Sequence, residues 1–491
     1  MIGLNRSKDL GPIEFDRFRK IESTFQSTFK SFGFQRISLP AFESSDLFLK
    51  NLGDRMKSQM YIVRDQDGKE MCLRPEMTSP SIRYFLAHQN NEALPLKLCY
   101  SEKVFRNQGE QNYREFTHIG TEIIGIDSIF YDAENIALAS SCLDQLGLNN
   151  YQITLGNPGI LVHLVHHLDV DVVFKNSFLE NLRMKQSCED MVQQAGENLF
   201  PSVDEGKYKD IFNILKKLTS EEEKTLLLKL LNMIHPHFSE DLKEAEDVVD
   251  GILDKIKRQN QYDSIQKILD FSQELHCISG RPKKVFQESK KLLQKAGIDP
   301  SYVEDLEKVT QFLSDYGIPE DRITIDFGLG RNFQYYTGVV FELDYLSPSG
   351  KKLICGGGRY DDLIETLGYP KPLSGCGFAF HLEEVYKILL EKEQENILLE
   401  DHRIDLFFLV PNEKNYTKIF PVIRQLRDHG LNIYTDISSS NINEKLSETK
   451  KSGIPLAALF GENQDSVKLF DFKTDHIDLI PYKELVDSIS K

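Results

Sequence analysis

The hydrophobic pattern of this chain changes three times along its 491 residues, and each change predicts a different kind of folding unit. Residues 13–34 carry apolar side chains at helical spacing, whereas the runs that follow, up to about residue 124, resemble short β-strands. From 159 to 319 the pattern is mostly helical, and from 401 onwards strands and helices alternate. A chain of this length and pattern predicts two or three domains.

The residues before about 158 and those from 321 to 395 predict an antiparallel sheet with helices packed on it. Two apolar runs flank Asp65-Gln66-Asp67-Gly68, which has the residues of a hairpin turn. The expected strands are Met60–Val63, Glu70–Leu73, Leu96–Val104, Glu115–Ile124 and parts of 323–343 and 352–356, and residues 375–395 predict a strand that runs into a helix. The fold class is therefore α+β, with a helical insertion that interrupts the sheet.

The C-terminal part predicts a small α/β domain. Its elements alternate strand, helix, strand, helix, strand, as Ile404–Val410, Tyr416–His429, Leu431–Thr435, Ile442–Ser452 and Pro455–Phe460. Such alternation favours a mostly parallel sheet. The predicted division is residues 1–158 and 321–395 for the two parts of the core, 159–320 for the helical insertion and 401–491 for the last domain.

Composition excludes several classes of protein. The net charge of −17 argues against a protein that binds a nucleic acid mainly through its phosphates. Seven cysteines without a C-x-x-C pair predict reduced thiols of a cytoplasmic protein, and no apolar run is long enough for a membrane span. The histidines His163, His166 and His167 have no ligand partners nearby in sequence, so we expect a solvated helix face and no metal.

Several short motifs then occur in a fixed order. They are Phe32-Gly33-Phe34 through Leu39-Pro40, Leu73-Arg74-Pro75-Glu76-Met77-Thr78, Phe105-Arg106 through Gly120-Thr121-Glu122, Leu329-Gly330-Arg331 through Tyr335-Tyr336-Thr337-Gly338, and Gly356-Gly357-Gly358-Arg359-Tyr360-Asp361. In order and spacing these motifs resemble the class II histidyl-tRNA synthetases. The resemblance implies a class II synthetase-like sheet, a homodimer formed through the first motif and an anticodon-binding-like domain at the C-terminus.

The resemblance also implies a pocket for histidine. A cationic amine requires carboxylates, and an imidazole requires a donor–acceptor partner and an aromatic wall. By resemblance Glu76 and Thr78 face the amine, and Glu122 and Tyr335 face the imidazole. The other residues carried over are Arg106 and Arg331, on the carboxylate side, and Tyr336. The alternative is that Glu76 and Arg331 form a buried salt bridge and that the two tyrosines belong to the core.

The positions that hold ATP in the family depart from its pattern. Gln108 stands where the synthetases have glutamate, and in the third class II motif His381 and Glu384 replace a glycine and an arginine. Gln334 and His118 are further departures. A carboxylate in place of a guanidinium repels phosphate oxygens, so it should stop adenylate formation unless another cation substitutes.

Three hypotheses follow. The first, which these departures favour, is a non-catalytic, histidine-binding regulatory subunit of ATP phosphoribosyltransferase, a sister family with the same fold. Its partners would be L-histidine and a short-form catalytic subunit, with no cofactor, no catalytic residue and no tRNA. The similar segment Leu155-Gly156-Asn157-Pro158-Gly159-Ile160-Leu161 supports this hypothesis. The second is a histidine–tRNA ligase with a changed ATP site, and the third is a pseudo-synthetase with another binding role.

Overall fold

A computed structural model describes residues 9–49, 52, 54–89, 93–107, 113–167, 220–234, 249, 267–268, 270–329, 335–392, 404–411, 416–437, 441–460 and 466–489. The chain divides into two compact units, one built on Phe18–Lys392 and the other on Glu393–Lys491 together with Leu10–Arg17. This division agrees with the sequence-based expectation of a separate C-terminal domain.

The first unit contains a large sheet and a small one. Its strands are β1 (Gln35–Arg36), β2 (Phe42–Ser44), β3 (Tyr61–Arg64), β4 (Glu70–Leu73), β5 (Leu96–Phe105), β6 (Glu115–Ile124), β7 (Tyr151–Gly156), β8 (Ser279–Gly280), β9 (Ile323–Asp326), β10 (Val340–Ser347), β11 (Gly350–Arg359) and β12 (Gly375–His381). The nine-stranded sheet has the order β1-β5-β6-β12-β11-β10-β7-β9-β8, and the three-stranded sheet has the order β2-β4-β3. All pairs are antiparallel except β1–β5 and β7–β9.

Helices accompany these sheets. They are α1 (Pro12–Ser31), α2 (Asp46–Leu49), α3 (Asp54–Ser58), α4 (Thr78–His88), α5 (Phe130–Gln145), α6 (Gly159–His167), α7 (Ser220–Ile234), α8 (Pro282–Ala296), α9 (Ser301–Asp315), α10 (Asp361–Thr366) and α11 (Leu382–Glu391), with a short 3-10 helix at Glu320–Arg322. Among the described residues, no helix is both long enough and apolar enough to cross a membrane.

Helix α1 covers one face of the large sheet and so decides where a site can open. Its buried phenylalanines and Ile21 recur at helical spacing. The Phe25 ring lies 4.8 Å from the Phe380 ring, and the Phe29 ring lies 6.1 Å from the Phe378 ring. Side chains alternate along a strand, so the residues of β12 between these phenylalanines point to the opposite face. The candidate site lies on that opposite face.

The hairpin predicted around Asp65 is confirmed. Strands β3 and β4 pair antiparallel, with Tyr61 opposite Leu73. In the turn the Lys69 backbone N–H donates to Asp65 Oδ1 over 2.8 Å, and Gly68 has a φ of 78°, which glycine adopts without strain. The two longest predicted strands, now β5 and β6, are also confirmed and pair over their whole length.

The predicted helical insertion contains part of the sheet. The two-residue strand β8 lies within 159–320 and pairs antiparallel with β9, and helix α9 packs against α5 of the core. A strand of two residues is too short to produce an alternating pattern, so the sequence did not reveal it. Residues 168–219, 235–248 and 250–266 lie outside the described residues, so most of the predicted insertion is not covered.

A buried ion pair joins α5 to the end of β11. The Arg359 guanidinium bonds to both Asp132 carboxylate oxygens, to the Ser128 carbonyl over 3.0 Å and to Asp361 over 3.2 Å. The side chains of Arg359 and Asp132 are 7% and 3% exposed. Because a buried charge without its partner costs more than the pair itself contributes, this contact constrains the fold.

Asp132→Ala is expected to lower the free energy of unfolding by about 3 kcal/mol, since it leaves the Arg359 charge buried and undercompensated. The matched control is Asp127→Ala, because Asp127 also faces Arg359, at 3.7 Å, but is 89% exposed. The control should change the free energy by less than about 0.5 kcal/mol. Urea denaturation followed by circular dichroism measures both; equal midpoints for the two variants would contradict the prediction.

The second unit has a parallel centre, as predicted. Its elements are β13 (Leu406–Leu409), α12 (Tyr416–Asp428), β14 (Ile433–Asp436), α13 (Ile442–Lys451), β15 (Leu456–Phe460), β16 (Ser466–Asp471), β17 (His476–Pro481), a 3-10 helix at Tyr482–Glu484 and α14 (Leu485–Ile489). The sheet order is β14-β13-β15-β16-β17, and β13 pairs parallel with both β14 and β15. Strands β16 and β17 add an antiparallel hairpin that the sequence analysis did not predict.

The cysteines are described apart from Cys188, which lies outside the described residues. The six described cysteines form no disulfide, and all but Cys277 are buried. Burial raises the pKa of Cys72 to about 12 and that of Cys99 to about 11. Raised pKa values keep these thiols protonated and chemically inert near neutral pH.

Candidate amino-acid and nucleotide site

The floor of the site follows from the pairing of β6 with β12. Glu122 lies opposite Gly377, and His118 lies opposite His381. Alternation along both strands places one set of side chains on the sheet face turned away from α1. That set is Phe116, His118, Gly120, Glu122, Gly377, Ala379 and His381. The site therefore has acidic residues at one end, aromatic rings at the other and small residues between them.

The glycines make room for specific side chains. A Cβ atom on Gly377 would overlap the Glu122 carboxylate, and one on Gly358, directly opposite on β11, would lie 2.9 Å from the Tyr336 ring. A Cβ atom on Gly120 would likewise overlap the backbone of Phe378 and Ala379. The glycine-rich segments recognised in the sequence thus leave room on the sheet for the Glu122 carboxyl group and the Tyr336 ring.

Three hydroxyl groups surround the Glu122 carboxyl group. Thr78 and Tyr100 donate to its Oε1 over 2.9 and 3.1 Å, and Tyr360 donates to its Oε2 over 2.5 Å. Glu122 is only 1% exposed. Burial, with a smaller contribution from nearby Glu76, raises its pKa to about 8 against the opposing effect of these hydrogen bonds. The group is thus poised to gain or lose a proton close to neutral pH.

Glu76 caps the first turn of α4. Its carboxylate accepts hydrogen bonds from the backbone N–H groups of Thr78, over 2.5 Å, and Ser79, over 3.0 Å. Burial raises the pKa of Glu76, whereas these N–H groups and Arg106 act to lower it. A carboxylate has about four acceptor positions, so Glu76 can both hold the helix and receive an ammonium group.

The two neighbouring tyrosines both lie in the core. Tyr335 and Tyr336 are each 7% exposed, their ring centroids are 4.9 Å apart, and the Tyr335 ring lies 6.0 Å from that of Tyr360. Neighbouring residues of a strand would direct their side chains to opposite faces. Tyr335 and Tyr336 instead precede β10, in a turn, and both rings join the same apolar cluster. Burial raises the pKa of Tyr335 and Tyr360 well above the usual range, so both keep their protons.

Arg106 lies between the acidic end and the ring end of the site. Its Nε donates to the Pro75 carbonyl over 2.6 Å, and its guanidinium carbon lies 5.2 Å from the centre of the Phe116 ring. The imidazole of His381 stacks on that same ring, with centroids 4.8 Å apart and planes inclined by 22°. His118 completes the cluster, 5.0 Å from His381.

The first turn of α11 carries the two acidic residues of the third class II motif. Glu383 is turned inwards and accepts hydrogen bonds from the Thr117 backbone N–H and hydroxyl, over 2.8 and 3.0 Å. Glu384 forms an ion pair of 2.6 Å with Lys387, whose Nζ lies 5.2 Å from the Tyr113 ring. The charge that replaces the family's arginine is therefore paired with a cation one helical turn further along.

Several predicted site residues cannot be placed. Gln108, Arg331 and Gln334 lie outside the described residues, as do the side chains of His163 and two neighbouring histidines, His166 and His167. The alternative salt bridge between Glu76 and Arg331 is therefore untested. In the part of the chain that the structure describes, no group of three or more His, Cys, Asp or Glu side chains could hold a metal ion.

Three residues at the site escaped the sequence analysis. Tyr360 was quoted within a motif without a role, and Tyr100 is brought to Glu122 only by the β5–β6 register. Lys387 could have been found, because positions i and i+3 of a helix face each other and residues 375–395 were predicted to end in a helix.

Known proteins are similar to this chain over most of its length. The family model described as "Histidyl-tRNA synthetase" matches residues 6–272 and 253–385, and the model described as "Anticodon binding domain" matches residues 407–491. The histidine–tRNA ligase of Methanocaldococcus jannaschii is 27% identical over 489 residues, covering 98% of this chain and 97% of that protein. The histidine–tRNA ligase of Thermococcus kodakarensis is 27% identical over 491 residues, with the same coverage.

Solved structures share the fold at lower identity. The apo histidyl-tRNA synthetase of S. aureus has a TM-score of 0.63 at 21% identity and covers 100% of both chains. A Bacillus halodurans C protein, named as an ATP phosphoribosyltransferase regulatory subunit/histidyl-tRNA synthetase, has a TM-score of 0.61 at 19% identity, covering 91% of this chain and 95% of that one.

The fold is that of a class II aminoacyl-tRNA synthetase, with a large mixed sheet, flanking helices and a C-terminal α/β domain. Since the family model matches most of the residues, the chain belongs to the histidyl-tRNA synthetase family.

Proposed function

We propose that this chain binds histidine beside Glu122 and acts as a histidine–tRNA ligase with a modified ATP site. This was the second of the sequence-based hypotheses, and two comparisons raise it to first place. The ligases of Methanocaldococcus jannaschii and Thermococcus kodakarensis align over nearly the whole chain, and the match includes the anticodon-binding domain.

The observation that carries the histidine proposal is the environment of Glu122. A buried carboxyl group with a pKa of about 8 can share one proton with an imidazole, whose own pKa is about 6.5. Tyr335 supplies an aromatic wall beside it, and the Glu76 carboxylate can receive the amino group. Among the amino acids, histidine alone carries an imidazole, which can share a proton with a buried carboxyl group of raised pKa such as Glu122.

Lys387 supports the ligase proposal at the nucleotide end. The argument against adenylate formation allowed for a substitute cation, and Lys387 is a cation next to Glu384. A triphosphate could displace the Glu384 carboxylate from the lysine and take its place. Positioned cations that meet developing phosphate charge are the main catalytic contribution in phosphoryl and nucleotidyl transfer.

The second candidate is a histidine-responsive regulatory subunit of ATP phosphoribosyltransferase. Glu384 and His381 favour it, because a carboxylate near the phosphates and an imidazole stacked on the Phe116 ring both disfavour bound ATP. The similar Bacillus halodurans protein carries both names. Here histidine would act by linkage, shifting the conformational equilibrium of a catalytic partner. In either case we propose a homodimer through the segment from Phe32 to Pro40.

ATP–pyrophosphate exchange with the purified full-length chain, beside a histidine titration, separates these proposals. We expect exchange that depends on histidine, ATP and Mg²⁺, together with saturable histidine binding. Histidine binding without exchange would favour the regulatory subunit instead. Failure to bind histidine at all would contradict both candidates, since each depends on the pocket around Glu122.

A further inference from the structure

The ring cluster of Phe116, His118 and His381, at the start of β6, has the arrangement of an occupied stacking site. The Phe116 side chain is 5% exposed, with the His381 imidazole inclined by 22° to it and the Arg106 guanidinium 5.2 Å from its centre. Aromatic rings and guanidinium groups are the usual surfaces on which a nucleic acid base stacks. In this chain an imidazole of the protein itself lies against the phenylalanine.

We propose that His381 is a built-in occupant of the stacking position on Phe116, so that a purine base binds there only after the imidazole has moved away. The proposal rests on the proposed function in one respect, since it concerns access to the same nucleotide site. In this proposal the His381 side chain controls whether the Phe116 ring is accessible to a base. The substrate class that it controls is a purine nucleoside or nucleotide.

The backbone around His381 allows such a movement. His381 is the last residue of β12 and directly precedes α11, with an extended conformation of φ −87° and ψ 102°. Its side chain is only partly buried, whereas Phe116 is held within the sheet next to Val104. Rotation of the His381 side chain can therefore expose the phenylalanine without disturbing β12 or α11.

The face of β6 and β12 next to the ring cluster indicates where the part of a ligand beyond its base would lie. Between the ring cluster and Glu122, strands β6 and β12 present Gly120, Gly377 and Ala379 on this face, and the Tyr100 hydroxyl of β5 lies beside Gly120. His118 and Glu122 are four residues apart, which corresponds to roughly 13 Å along a strand. A ligand with its base on Phe116 would extend along this strip of small residues towards the acidic end of the site.

The test compares adenosine binding to the parent chain and to His381→Gly, His381→Ala and His381→Phe, measured by titration calorimetry. Adenosine is chosen because it has no phosphate and so reports on base stacking alone. The glycine and alanine variants should bind adenosine at least ~10-fold more tightly than the parent. The phenylalanine variant is the matched control: it keeps a ring on Phe116 and should bind no better than the parent.

Two results would overturn the proposal. One is equal adenosine affinity in all four proteins, with folding verified by circular dichroism. The other is a gain in affinity that persists when Phe116→Leu is added to His381→Gly, because the gain must depend on stacking. Histidine titration of the same variants should give the parent affinity. If the parent did not bind histidine, that result would count against the proposed function. The comparison of adenosine affinities would still test the role of His381.

Discussion

Glu122→Ala is expected to weaken histidine binding by about 100-fold or more, because the imidazole loses a buried proton-sharing partner and three hydroxyl groups lose their acceptor. Titration calorimetry measures the change. The matched control is Glu115→Ala, at the first position of the same strand, where the side chain is 49% exposed and faces Lys103. This control should change the affinity by less than about twofold.

The same carboxyl group should impose a pH optimum on histidine binding. Between about 6.5 and 8 the free imidazole is neutral and Glu122 is protonated, so the complex forms with one shared proton and no net exchange. Below this range both groups are protonated and one proton must be released. Above it neither is protonated and one must be taken up, so affinity falls on both sides.

Glu122→Gln removes the titration of this residue and should remove the decline above pH 8, relative to the parent. Comparing the two proteins at pH 7.2 and pH 9 cancels the titration of the ligand's own amino group. Parallel pH profiles for parent and variant would show that Glu122 does not share a proton with the ligand.

Lys387→Met is expected to lower the rate of ATP–pyrophosphate exchange by about 100-fold. Without Lys387, the Glu384 carboxylate would face the triphosphate unpaired, and attraction would become repulsion. The side chains of Lys387 and Glu384 are partly exposed, at 45% and 35%, so solvent screens the charge of each. The expected loss of rate is therefore at the low end of the range for removing one catalytic hydrogen-bond donor.

Two further variants show whether charge is the cause. Adding Glu384→Gln to Lys387→Met removes the unpaired carboxylate and should restore part of the lost exchange. The matched control is Lys392→Met, since Lys392 directly follows the same helix and contacts the Tyr345 ring instead. It should retain the parent rate within about twofold. Exchange at the parent rate in Lys387→Met would exclude Lys387 as the substitute cation.

Most of the fold could be predicted because its signals are local. The α1 helix shows apolar residues at a helical period, and β6 is a ten-residue strand of suitable composition. The hairpin β3–β4 is marked by turn residues. Strand β8 has only two residues, too few for an alternating pattern, whereas in β17 Ile477 and Leu479 do alternate although both are exposed, at 57% and 66%. In β16 the alternating Val467 and Leu469 were a usable signal that was missed.

The sequence by itself determined the family and most of the elements, because composition and period act within a few residues of one another. It also singled out Glu76, Glu122 and Glu384. Only the tertiary structure decided what these groups meet. The Tyr360 hydroxyl reaches Glu122 across 238 residues of chain, and His381 stacks on Phe116 because β12 pairs with β6 in one register. Register and burial arise from packing between distant segments, and they set both the proton affinity of Glu122 and the occupant of the stacking position.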